Sequence, residues 1–101
     1  MGELKDWLGA QHPGLRTFRT FSERASELGS HDDQHRALYR LLSNIAAHYE
    51  ATFDEEPLPV NVADRAYRTF VGLVELGDDS LDKPPEQQLA ALNTIASAKL
   101  F

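Results

Sequence analysis

The sequence predicts an all-α fold: an antiparallel four-helix bundle with a short additional helix at its N-terminal side, one domain over residues 1–101. Three observations carry this. Apolar residues recur in steps of three and four as Leu15, Phe18, Phe21, Ala25 and Leu28, then Leu38, Leu42, Ile45 and Tyr49. The pattern returns with Ala63, Tyr67, Phe70 and Val74, and with Leu89, Leu92, Ile95 and Ala96. Such steps put each set on one side of a helix. Each stretch is closed off by Gly or Pro, and no segment alternates strictly with β-branched residues as a half-buried strand would. With 101 residues and 42% hydrophobic content, one core can form without disulfide or metal staples.

Leu4, Trp7 and Leu8 define the short helix, which ends at Gly9 or in the Gln11-His12-Pro13-Gly14 turn. Pro13 suits the first position of the next helix, where its missing N–H costs nothing. That helix is expected to reach about Leu28 and stop at Gly29, the preferred residue for a left-handed cap. Ser30, with Asp33 three residues on, predicts a capping box for the second long helix, and Asp32 and Asp33 complement its dipole. The helix should reach about Phe53, because Pro57 and Pro59 forbid its continuation. Asn61 with Asp64 repeats the capping pattern for the third helix, which Gly77 closes. Lys83 and Pro84 each precede a proline and are biased away from helix. The fourth helix therefore starts near Pro85 and runs almost to Phe101. Connections of about four to eight residues between long helices favour antiparallel neighbours.

Composition narrows the function. The net charge of -6 opposes binding to a phosphate backbone, whose affinity comes mainly from cations that displace counterions. No nucleic acid partner is expected. No stretch approaches the about 20 apolar residues that span a bilayer, and residues 1–10 lack the cationic start and apolar run of a secretory signal. A cytoplasmic protein with no membrane partner is the expectation. The absence of cysteine excludes disulfides, thiolate catalysis and Cys-based zinc sites.

The motifs that would carry chemistry are few. In His31-Asp32-Asp33-Gln34-His35 the imidazoles stand one helical turn apart, the spacing with which a zincin motif holds its metal. Asp32 occupies the place of that motif's Glu and is one methylene shorter. A third ligand would have to be His12, Asp78 or Asp79, since His48 lies about 20 Å along the helix at 1.5 Å per residue. The simpler expectation is that Ser30 caps, the acids face the dipole and both histidines face solvent. A metal-binding and hydrolytic bundle built on His31 and His35 is the alternative. Asp54-Glu55-Glu56 lacks the alternating ligands and turn glycine of a calcium loop and reads as a solvated connection. No serine sits in a glycine elbow, and no glycine-rich phosphate loop is present.

Two features suggest contact with another protein. Trp7, with Leu4 and Leu8, is a candidate anchor, since Trp is enriched at binding hot spots; the simpler expectation folds it onto the bundle. On the fourth helix, Ala90, Ala91, Thr94, Ser97 and Ala98 lie opposite the expected core stripe and carry no charge. Small uncharged residues let a second helix approach closely.

Ile45-Ala46-Ala47-His48-Tyr49, an acidic stretch, and Pro57-Leu58-Pro59 before a helix are locally similar to the middle of the small four-helix assembly factor of photosystem II. The likeness spans these residues alone. The chain lacks that family's secretion signal and lipidated cysteine and adds a further helix, so no family is assigned. Bacteriocin immunity proteins resemble it in size and four-helix architecture. The expected function is a non-enzymatic protein-interaction module, using no cofactor and binding another protein or itself as a homodimer.

Overall fold

The computed structural model describes residues 3–53 and 59–100. Over these residues the chain forms five helices: α1 Glu3–Gly9, α2 Leu15–Ser30, α3 Arg36–Phe53, α4 Val60–Ser80 and α5 Pro85–Ser97. No strand occurs among the described residues. The acidic Asp54-Glu55-Glu56 run, Pro57, Leu58 and Phe101 lie outside them.

The helix ends differ from the expected ones in an instructive way. Gly29 and Gly77 do not terminate helices; α2 continues to Ser30 and α4 to Ser80. Each glycine is buried where another helix comes close. A Cβ on Gly29 would stand 3.1 Å from Tyr39 Cβ, and one on Gly77 would stand 2.8 Å from Leu38 Cδ1. Ser30 therefore caps nothing: its hydroxyl donates to the Glu27 carbonyl at 2.6 Å. The cap before α3 comes from Asp32, whose Oδ1 accepts from the His35 N–H at 3.2 Å. Asn61 lies one residue inside α4, behind Pro59 at the N-cap. Pro84 is the N-cap of α5, with Pro85 in the first turn as expected.

α2 and α3 form an antiparallel hairpin. Arg19 pairs with Glu50 at one end, and Arg36 Nε donates to the Gly29 carbonyl at the other. Between them the seam is made of small residues. Ser43 is 4% exposed, with its Oγ 3.0 Å from Ser22 Oγ and 2.7 Å from Ser26 Oγ; it also donates to the Ser22 carbonyl. Ala25, Gly29 and Ala46 complete the seam, all buried. Small side chains let two helix axes approach toward the close end of the usual 8–10 Å range.

α4 returns parallel to α2, its aromatic stripe closing the core. Phe70 packs edge-on to Phe21 at 4.7 Å between centroids and tilted to Phe18 at 5.3 Å; Phe18 in turn meets Tyr49 at 4.4 Å. Tilted and edge-on aromatic pairs contribute about 0.5–1.5 kcal/mol beyond their burial. α5 folds back along α4 and α3, placing Ile95 Cδ1 against Gly77. α1 packs on the other side, against α2 and α4. The described chain measures 41 × 23 × 22 Å.

Candidate functional site

α5 presents its residues with a different phase from the one the apolar pattern suggested. Ala91 (5% exposed) and Ile95 (0%) face the core, while Leu89 is 57% exposed. Ala91 is thus a core residue rather than part of an outward patch. Ala98, beyond the helix end with an extended backbone, is partly buried against the core. Ala90, Thr94 and Ser97 are exposed as expected, and Asn93 and Ala96 join them. The Thr94 and Ser97 hydroxyls donate to the Ala90 and Thr94 carbonyls of their own helix, so each places its single O–H within the helix. From residue 87 to 98 the chain carries no charged side chain at all. Past Glu86 in its first turn, the solvent side of α5 is neutral, on a chain in which 26% of residues are charged.

Two depressions flank this helix. One, of about 280 Å³, lies between α4 and α5 and is lined by Leu76, Lys83, Gln87, Ala90, Ala91 and Thr94 among others; Leu76 is 37% exposed there. The other, of about 520 Å³, lies between α3 and the segment following α5, lined by Asn44, Ile45, His48, Ala98, Lys99 and Leu100. Both are mostly apolar with a polar edge.

No protein-family model, curated protein or solved structure matches this chain.

The local geometry therefore carries the functional argument. Trp7 does not protrude: it is partly buried against the core, with the Arg24 guanidinium carbon 4.9 Å from its ring centroid. Such a cation over an indole face stabilises by about 0.5–1 kcal/mol at an exposed site. Neither of the two histidines stands where the metal reading needs it. Residues 31–35 form a turn rather than a helix, so their one-turn spacing has no helical face to sit on. His31 is exposed, whereas His35 is held by Asp32, with Nδ1 2.8 Å from Oδ2. Its Nε2 is buried without a hydrogen-bond partner among the described residues. Among the described residues no group of three His, Asp or Glu side chains is arranged to hold a metal ion. The Asp32 carboxyl sits below its ordinary range, chiefly because the His35 side chain hydrogen-bonds to it, with burial opposing.

A smaller cleft, about 220 Å³, opens where α1, α3 and α4 meet and is lined by Glu3, Leu4, Tyr39, Val74 and Asp78 among others. Burial pushes the Tyr39 phenol above its ordinary value, and the carboxylates of Asp32, Asp78 and Glu3 add to that. No described helix is long and apolar enough to cross a membrane. The feature that sequence reasoning missed here is Leu89: its size argued for the core, but the absence of charge around the whole of residues 87–98 was already visible.

Proposed function

We propose that this chain is a non-enzymatic protein-interaction module that docks another protein, or a second copy of itself, through the neutral solvent side of α5. The observation that carries the reading is the exposure of Leu89, Ala90, Asn93, Thr94, Ala96 and Ser97 together on a helix that carries no charge beyond Glu86 in its first turn. Interface centres are depleted in charged residues, whereas a helix facing only water normally carries them. The apolar hollows beside α5 would receive side chains from the docked surface.

Leu89 and Ala96 are seven residues apart and share one side of the helix. Replacing both with Glu adds charge at exposed positions and uses a good helix former, so helical circular dichroism should hold. Sedimentation should then shift toward the monomer, or capture of the partner from native extract should fall against the unmodified chain. A folded double variant that associates and captures as before would refute this reading.

A further inference from the structure

α1 has the properties of a ligand held in cis. It has seven residues, and so short a helix does not persist in water by itself; the groove it lies in imposes its shape. α2 and α4 build that groove, meeting each other through aromatic side chains rather than through close backbones. Leu4 is 6% and Leu8 1% exposed. The Tyr67 hydroxyl donates to the Leu8 carbonyl at 2.7 Å, satisfying one of the acceptors a helix leaves open at its last turn. Arg24 covers the Trp7 ring. The groove thus recognises apolar side chains at i, i+3 and i+4 and a last-turn carbonyl, the features of an amphipathic helix.

The connection to the rest of the chain is slight. Hydrogen bonds on one side run back into α1, from the Ala10 N–H and the Gln11 side chain to the Trp7 carbonyl and from the Gln11 N–H to the Leu8 carbonyl. On the other side they run forward into α2, from Thr17 to the His12 and Gly14 carbonyls. Among the described residues, no hydrogen bond joins residues 3–11 to residues 12–17 across the Gln11–His12 junction. Gly9 and Gly14 flank it, and a Cβ on either would meet nothing within 4 Å.

We infer that the α2–α4 groove is an exchangeable helix-docking site whose partner in trans is α1 of a second copy. The incoming α1 makes every contact that the resident one leaves, so exchange changes only the path of the chain around the Gln11–His12 junction. The resident α1 prevails in dilute solution because a short connection holds it at an effective concentration of about 1 mM.

The test uses a capped peptide of residues 3–11, whose Trp7 is the fluorophore, and two full-length hosts without tryptophan. In Trp7→Phe the groove is filled in cis; in Trp7→Phe with Leu8→Asp it is vacated, because a carboxylate cannot replace so deeply buried a leucine. Peptide emission should shift to the blue saturably with the vacated host, with at least tenfold higher affinity than with the filled one. Equal affinity for both hosts, or no shift by several times about 1 mM, would overturn the inference. Should the double variant lose its helical signal, the filled host decides: a saturable shift that Leu8→Asp in the peptide abolishes supports exchange, and its absence refutes it. Both outcomes are independent of α5.

Discussion

Gly72 and Gly77 both lie inside α4, and replacing either with alanine adds one methyl group to the same helix. In each case the better helix propensity of alanine stabilises by about 1 kcal/mol. Their neighbours differ. A Cβ on Gly72 meets nothing within 4 Å, whereas one on Gly77 falls 2.8 Å from Leu38 Cδ1 and 3.5 Å from Ile95 Cδ1. The Leu38 methyl would have to retreat by about 0.6 Å to reach ordinary contact. Leu38 is itself only 5% exposed, and forcing atoms into a packed core costs about 1–3 kcal/mol. Gly72→Ala should therefore stabilise by about 1 kcal/mol, and Gly77→Ala should range from neutral to destabilising by about 2 kcal/mol. Comparing the two variants cancels the propensity and isolates the cost of close approach. At this size each kcal/mol moves the melting temperature by about 4–8 °C, so circular dichroism melts resolve the difference. Equal stabilisation by both substitutions would refute the packing of α3 and α5 onto α4 at Gly77.

Two further outcomes follow from individual hydrogen bonds. Asp32 ionises more readily in the folded chain than in the unfolded one, so its contribution is present above the ordinary aspartate range, about 3.9, and is lost as pH falls through its lowered folded value. Asp32→Asn should flatten the acid limb of stability measured by urea unfolding between about pH 2 and 6; an unchanged slope would remove Asp32 from the account. Tyr67→Phe deletes the donor to the Leu8 carbonyl and should cost about 0.5–1.5 kcal/mol, with Trp7 emission moving to the red as α1 loosens; unaltered stability and emission would mean the bond holds nothing.

Helix content and topology were legible because the aromatic and leucine periodicity of α2, α3 and α4 is strong: Phe18, Phe21, Leu38, Leu42, Phe70 and Val74 were all expected in the core and all are buried. Boundaries were less legible, since glycine in a helical pattern serves either as a stop or as a point of close approach. Gly29 and Gly77 take the second role, and the supposed caps Ser30 and Asn61 fell with the first. The spacing Ser22, Ala25, Ser26, Gly29 was the available signal, because small residues at i, i+3, i+4 and i+7 form a single stripe. The phase of α5 was hardest. With no charge from residue 87 to 98, nothing marks a solvent side, and residue size favoured Leu89 over Ala91. Ile95 faces inward in either phase, and Ala91, one helical turn earlier, is buried with it while Leu89 is left 57% exposed. The spacing of His31 and His35 has meaning only on a helix, and residues 31–35 form a turn; His31 faces solvent as expected, whereas His35 is half-buried.

The serine seam and the Tyr67 clasp close very different lengths of chain. Ser22 and Ser43 are 21 residues apart along the chain, while the clasp from Tyr67 to Leu8 spans 59. Closing the longer span costs roughly 0.9 kcal/mol more in chain entropy, and it joins a helix too short to form first by itself. The α2–α3 hairpin is thus the part that can assemble from local contacts and serve as a template, with α1 laid down afterwards. If the hairpin forms first, Ser43→Val should act mainly on the folding rate and Tyr67→Phe mainly on the unfolding rate in stopped-flow unfolding and refolding. The bundle thus joins a hairpin closed over a short span to a strap clasped across most of the chain.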